Sequence, residues 1–284
     1  MYVGPSDDRR VIGVVDIGGT KLAAGLVDGG RVSSVVREPT PSTDPEGALS
    51  GLLERAAQGV QLEWIGVAVP GPFDRARGAL INPPGMPASW HGAEVAAILG
   101  SGFGCPVRVE NDANCAALAE AAVGAGKGAE TVVYYTVSTG IGSGVVRDGA
   151  LLAGRQDTEG GHQVVWPEWT GGPPCECGGA GCLEMLASGR AIEHRFGRPP
   201  EMLGEQAAWD DVGRWLGLAV TNTTALLDPD VVVFGGGVTR SWARFAPALL
   251  DTVRRHIRLQ AMPRIELGAL PEDIRTLLGA SLLS

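Results

Sequence analysis

Short apolar runs punctuated by glycine set the pattern of the first seventy residues. Val11 to Asp16 and Leu22 to Val27 read as two buried-type strands separated by the Gly18-Gly19 turn, and Asp28-Gly29-Gly30 turns the chain into a third strand, Arg31 to Arg37. A helical pattern follows over Pro45 to Gly59, and the strand Trp64 to Val69 ends in Pro70-Gly71-Pro72. The predicted order is β-β-β-α-β. It returns in the second half as Thr131 to Val137, a glycine-rich turn, Gly144 to Arg147, a short strand Ala150 to Ala153, a long excursion with helical segments, and Val231 to Phe234. The repeat is one of topology, not of residues. Between the halves, Val107 to Val109 is a strand leading into a helix over Asp112 to Val123, and the tail from Ile274 to Leu283 is a short closing helix.

A duplicated unit with a glycine-rich hairpin at the same place in each copy predicts an α/β protein of two lobes with ligands bound in the cleft between them. The boundary is expected near residues 113 to 118. That gives a smaller first lobe of residues 1–115, to which the tail 272–284 returns, and a larger second lobe of residues 116–271.

Composition narrows the function classes. With 284 residues, 44% hydrophobic and 19% charged, the chain has ordinary globular material. A formal net charge of −9 argues against a nucleic-acid binder, which needs clustered Lys and Arg. No apolar stretch reaches the roughly 18 residues of a membrane span, and the first ten residues lack the apolar core of a signal peptide, so a cytoplasmic protein is expected. Glycine, 43 residues, is about twice as common as usual and gathers in short runs after apolar strands.

The segment from Glu159 to Glu184 reads Glu-x-x-His, then Cys-x-Cys-x-x-x-x-Cys-x-Glu. His162, Cys175, Cys177 and Cys182 supply one nitrogen and three sulfurs, a set suited to tetrahedral zinc. Four protein ligands leave no open position, which makes the metal structural. Three thiols within eight residues argue for metal over disulfides in a chain of this type. Cys105 and Cys115, in or beside apolar segments, read as small core residues.

The first hairpin, Asp16-Ile17-Gly18-Gly19-Thr20-Lys21, places a carboxylate at a strand end and then two residues without side chains. Free amides in such a turn form an anion nest, to which Thr20 adds a hydroxyl and Lys21 a charge, while Asp16 is suited to a hydrated Mg²⁺. The second hairpin, Ser138 to Gly144, alternates glycines with hydroxyls and suits the other end of a polyphosphate. Each alone is also compatible with a plain turn; the matched pair is the stronger sign. Gly235-Gly236-Gly237 follows a strand, where an adenosine moiety can lie on backbone, but it does not match the Gly-x-Gly-x-x-Gly fingerprint. In Glu110-Asn111-Asp112-Ala113-Asn114, a helix N-cap and a proton-accepting carboxylate are compatible readings. A carboxylate in the first turn is expected to be kept ionised by the helix dipole, ready to accept a proton in phosphoryl transfer.

In this order, Asp-x-Gly-Gly-Thr-Lys, Glu-Asn-Asp-x-Asn, Thr-Gly-Ile-Gly-x-Gly, Glu-x-x-His, Cys-x-Cys-Gly-x-x-Gly-Cys-Leu-Glu and Asp-Pro-x-x-Val-Val-x-Gly-Gly-Gly, the chain resembles the ROK family of bacterial sugar kinases, glucokinases, repressors and related proteins. The resemblance runs from about Val11 to the end. It implies an actin-like, hexokinase-like ATPase fold, a duplicated βββαβαβα, that transfers the γ-phosphoryl of ATP to a sugar hydroxyl. It implies Asp112 as catalytic base, and Gly71, Asn82, Asn111, Glu159, His162 and Glu184 as sugar contacts. Gly18, Gly19, Thr20, Thr139 and Gly140 would line the phosphates, and Gly235, Gly236 and Gly237 the adenosine. His162 would serve zinc through one ring nitrogen and sugar through the other.

Ser138 stands where the family usually has Gly, and Gly85 where Asn is common, which leaves the sugar's identity open. The stretch Arg195 to Asp211 is short, so trimmed outer helices are expected in the second lobe. The implied activity is an ATP-dependent hexose kinase, a glucokinase acting on the 6-hydroxyl, with kinases of N-acetylmannosamine, N-acetylglucosamine or fructose as alternatives. The cofactors are ATP, Mg²⁺ and structural Zn²⁺, and the assembly a homodimer or homotetramer. A sugar-sensing repressor is disfavoured by charge and by the ten residues before the first strand, and a non-catalytic sugar-binding regulator by the presence of both hairpins and the base.

Overall fold

The computed structural model describes residues 11–283 apart from Ala153, Arg155, Glu168 and Trp169. The expectations that concern the first ten residues, and the end of the short strand at Ala153, lie outside the described residues. The chain divides into two compact units, one drawn from Met1–Ala119 and Asp273–Ser284, the other Glu120–Glu272.

In the first unit, β1 (Ile12–Ile17), β2 (Lys21–Asp28) and β3 (Arg31–Pro39) form the meander, followed by α1 (Pro45–Ala57) and β4 (Trp64–Val69). A small hairpin, β5 (Phe73–Asp74) with β6 (Ala79–Leu80), then α2 (Val95–Phe103), β7 (Val107–Asn111) and α3 (Asp112–Val123) complete this half. The sheet order is β3-β2-β1-β4-β7, antiparallel through the meander and parallel from β1 to β7. The strands in the middle are buried on both faces, so they read as continuous apolar runs. Asp44 caps α1, its carboxylate accepting the Gly47 N–H at 3.0 Å, with Pro45 in the first turn where no N–H is needed.

The second unit repeats the order. β8 (Thr131–Val137), β9 (Ile141–Arg147) and β10 (Ala150–Leu151) are its meander; α4 (Glu184–Ala187), α5 (Gly189–Phe196) and α6 (Gln206–Leu227) precede β11 (Val231–Gly235), α7 (Trp242–His256) and β12 (Arg264–Leu267). Its sheet runs β10-β9-β8-β11-β12, the same sequence of antiparallel and parallel pairings. Trp209, Leu216 and Val220 of α6 and Phe245 and Leu249 of α7 are fully buried in the core under this sheet. α6, which begins within the stretch Arg195 to Asp211, is 22 residues long.

α8 (Glu272–Ala280) closes the chain and belongs to the first unit from Asp273 on. It packs backbone to backbone: a Cβ on Gly279 would stand 1.7 Å from the Cys115 carbonyl oxygen of α3. Cys115 is accordingly core, as expected, whereas Cys105 is only half-buried. Among the described residues, no helix is long and apolar enough to cross a membrane.

Candidate functional site

The first unit gathers the acidic residues. Asp16 lies near the end of β1, in register with Ala23 on β2 and Ala68 on β4, which puts its carboxylate at the middle of the sheet's edge. Ile17 pairs with Leu22, so the turn is tight, and the Gly18 N–H donates to the Lys21 carbonyl at 3.0 Å. That amide is therefore used by the turn, and the expected nest has one free N–H fewer. The turn is also tied to the residue after β3: the Thr40 hydroxyl donates to the Gly18 carbonyl at 2.6 Å and the Thr40 N–H to the Thr20 carbonyl at 3.1 Å. A Cβ at position 19 would be 2.6 Å from the Gly85 carbonyl oxygen, so only glycine fits there. Thr20 and Lys21 are exposed.

At the junction of β7 and α3, Asn111 is the helix cap: its Oδ1 accepts the Ala113 N–H at 2.9 Å and the Asn114 N–H at 3.3 Å. Asp112 Oδ1 also accepts from the Ala113 N–H, at 2.7 Å. Glu110, buried, receives the Asn111 N–H at 2.7 Å, the Asn114 amide at 3.0 Å and a two-pronged pair from the Arg75 guanidinium. Burial pushes the Asp112 carboxyl up to about 6 against the pull of the Ala113 N–H. Burial and then the Asp112 charge push Asp16 up to about 7, against the nearby charges of Lys21 and Arg37. Burial thus outweighs the N–H groups of the helix end, yet at about 6 the carboxyl is still largely ionised near neutral pH. Gly71 lies beside Asn111, where a Cβ would be 3.6 Å from its Nδ2, and Asn82 is exposed.

The second unit holds the other hairpin and the cysteine cluster. Val137 pairs with Ile141 and the Ser138 N–H donates to the Gly140 carbonyl at 2.9 Å, so the turn is Ser138 to Gly140. Gly142 and Gly144 lie within β9, which begins three residues before the expected strand. The Ser138 carbonyl accepts the Gly189 N–H at 2.7 Å and the Thr139 carbonyl the Arg190 N–H at 3.2 Å. Glu184 Oε2 accepts the Ile141 N–H at 2.8 Å, tying one oxygen of this acid to the hairpin. A cavity of about 320 Å³ opens beside the turn, lined by Ser138, Thr139, Arg190, Glu193, Gly237 and Arg240 among others. Of the glycine run, Gly237 faces this cavity; Gly235 is the buried end of β11, and Gly236 (φ 88°) would press a Cβ within 2.5 Å of the Val137 carbonyl oxygen.

His162 ends the single 3-10 turn Gly160–His162, its N–H donating to the Glu159 carbonyl at 2.9 Å. A knuckle presents the sulfurs: the Cys175 N–H donates to the Gly179 carbonyl at 2.8 Å, and the Gly178 N–H to the Cys175 carbonyl at 3.0 Å. The ligand atoms of His162, Cys175, Cys177 and Cys182 all lie within 4.8 Å of one another. His162 Nδ1 is 3.5 Å from Cys175 Sγ, and Cys177 Sγ is 3.6 Å from Cys182 Sγ. Ligands on a zinc tetrahedron stand roughly 3.5 Å apart for nitrogen and sulfur and about 3.8 Å for two sulfurs. The donor set and its spacing fit the metal, and Nδ1 is the ring nitrogen on the cysteine side.

The structure thus brings Asp16, Gly71, Asn111 and Asp112 together in one unit, and Gly140, Glu184 and the four metal-type ligands in the other. Thr40, Arg75, Arg190 and Glu193 are additions that the sequence did not mark. Thr40, Arg75 and Arg190 meet their partners across a stretch of chain, Glu193 is known by the cavity it lines, and none sits in a recognisable spacing.

Two sheets of the same order, each with a glycine hairpin after its first strand, define a hexokinase-like ATPase fold of the sugar-kinase class. The chain belongs to the ROK family, whose profile matches residues 12–283. The ROK hexokinase of Thermus thermophilus superposes with a TM-score of 0.86 at 39% identity, over 96% of this chain and 97% of that one. A ROK family glucokinase from Streptomyces griseus, solved with glucose and AMPPNP, does so with a TM-score of 0.78 at 29% identity, over 95% and 97%. A glucokinase of Thermotoga maritima is 31% identical over 96% of this chain and 97% of its own length.

Proposed function

We propose that the chain is an ATP-dependent hexose kinase that transfers the γ-phosphoryl group to the 6-hydroxyl of glucose. The observation that carries the reading is Asp112, a carboxylate at the first turn of α3 whose proton affinity is raised to about 6, matched to taking a hydroxyl proton near neutral pH. Asp112 accepts that proton as the sugar oxygen attacks. The sugar contacts in this reading are Asn111, Gly71, Asn82, Glu159, His162 and Glu184. Gly18, Gly19, Thr20, Thr139 and Gly140 line the phosphates, Lys21 adds charge, and the adenosine occupies the cavity beside Gly237. Asp16 would hold a hydrated Mg²⁺, which when bound supplies charge neutralisation on the phosphates.

Zinc on His162, Cys175, Cys177 and Cys182 would be structural, since the four ligands fill a tetrahedron. With Nδ1 turned to the metal, Nε2 of His162 is left for the sugar. Exclusion of water matters because an exposed γ-phosphate is open to hydrolysis. The relative named glucokinase and the structure solved with glucose support glucose as the sugar. The same acids and histidine would serve N-acetylmannosamine, N-acetylglucosamine or fructose. A panel of these hexoses with ATP and Mg²⁺, read by ADP release, ranks them by specificity constant; no turnover of any of them would leave the non-catalytic regulator. Asp112→Asn is expected to retain glucose binding while turnover falls by several orders of magnitude, and near-wild-type turnover would remove Asp112 from its role. We place the protein in the cytoplasm as a homodimer or homotetramer, a state that light scattering reads directly.

A further inference from the structure

We propose that Gln163 is a positioning residue for the sugar, clamping the Glu159 to His162 turn from behind through a hydrogen-bonded chain to Tyr135 and Thr223. The inference rests on the hexose-kinase reading above. Gln163 follows His162 directly, and its Nε2 donates both to the Gly160 carbonyl at 2.9 Å and to the Tyr135 hydroxyl oxygen at 3.0 Å. The Tyr135 hydroxyl is in turn hydrogen-bonded to the Thr223 hydroxyl of α6, 2.6 Å away. The other end of the amide, Oε1, accepts from Asn222 Nδ2 at 3.4 Å. The Gln163 backbone carbonyl accepts the Leu183 N–H at 3.0 Å, one residue from Cys182 and from Glu184. One residue therefore touches the turn, the sheet, the long helix and the segment that carries the last cysteine.

Further bonds hold the back of the turn. Ser143 of β9 accepts the Gly160 N–H at 2.8 Å and donates to the Thr158 carbonyl at 3.0 Å. A Cβ on Gly160 would stand 2.7 Å from Ser143 Oγ, and one on Gly161 2.0 Å from the Ile141 carbonyl oxygen. A metal on Nδ1 fixes the imidazole at one atom only. The direction of the remaining ring nitrogen and of Glu159 depends on where the backbone between them is held, Ser143 taking the Gly160 N–H and Gln163 the Gly160 carbonyl. Outer groups behind a metal ligand typically change metal affinity or activity by 10–100-fold when removed.

The test uses Gln163→Met, which keeps length and bulk without the donors or acceptor, and Tyr135→Phe, which removes one hydroxyl. In the zinc-loaded enzyme, Gln163→Met is expected to raise the KM for the hexose on the order of ten-fold while kcat and the KM for ATP move by less than about two-fold. Metal content by elemental analysis stays at the wild-type value. Tyr135→Phe gives a smaller rise of the same kind, and the double variant is no worse than Gln163→Met alone, because the two groups act in series. A hexose KM within two-fold of wild type in Gln163→Met overturns the proposal, as does a rise in both KM values together with loss of metal, or full additivity of the two substitutions. If Gln163→Met does not fold, Tyr135→Phe decides by the same criteria. A wild-type chain that phosphorylates no hexose overturns the kinase reading itself, whereas an active chain with an unmoved hexose KM overturns only the role of Gln163.

Discussion

Asp16 and Asp112 show how a half-buried acid pair answers to pH. Burial raises both, to about 7 and about 6, so between roughly pH 4 and 7 the folded chain holds more protons on them than the unfolded chain does. Stability from this pair is therefore fully present at low pH and declines as pH rises through that window. In magnesium-free buffer, Asp112→Asn is expected to be more stable than wild type at pH 7.5 by on the order of 1 kcal/mol, with the difference vanishing near pH 4. Urea unfolding at the two pH values checks it; a variant less stable at pH 7.5 contradicts the sign. The pair was legible in part, since Asp-x-Gly-Gly and Glu-Asn-Asp both mark strand ends. The raised proton affinities were not, because they depend on what surrounds the carboxylates. The Gln163 clamp was illegible for a related reason: its partners are 28 residues away in one step and 88 in the next, from Tyr135 to Thr223.

Among the elements, long apolar runs were readable and short or tightly packed features were not. β1, β4 and β8 fall where hydrophobic patterning puts them, whereas β5 and β6, two residues each, are too short to leave a pattern. The α6 and α7 pair shows what patterning omits. Gly213 and Gly217, one helical turn apart, let the backbones meet: a Cβ on Gly213 would be 2.3 Å from the Phe245 carbonyl oxygen and one on Gly217 2.7 Å from Thr252 Cβ. In sequence these glycines look like weak points of a helix. Gly213→Val is expected to cost on the order of 3 kcal/mol, because rigid backbone on the facing helix must move. Thermal unfolding with a melting temperature within about 2 °C of wild type would refute that packing account. At the other end of the second unit, Cys177→Ala should lose the metal and weaken sugar binding, since a structural zinc contributes on the order of 10 kcal/mol to local folding. Unchanged zinc by elemental analysis would count against the ligand set.

For the molecule as a whole, the duplication was visible because each half repeats an order of strands and glycine turns that hydrophobic periodicity can register. The boundary of the units was harder to place, because α3 carries residues of both: Ala119 closes one and Glu120 opens the other within a single helix. Glu120 is fully buried, its carboxylate accepting the Ala125 N–H at 2.9 Å and, from the segment before α8, the N–H groups of Ala269 at 3.1 Å and Leu270 at 3.2 Å. Such a carboxylate cannot be removed without orphaning main-chain donors.

The seat of Gly279 against Cys115 has a bearing on how the chain is made. The first unit is assembled from segments on both sides of the second, so its core stays open at the α3 and β4 face until α8 has been made, while the second unit is one uninterrupted stretch. Nascent chains released at residue 272 are expected to yield a protease-resistant fragment from the second unit and a first unit that is digested. Equal resistance of both halves in the truncated chain would contradict this order of assembly.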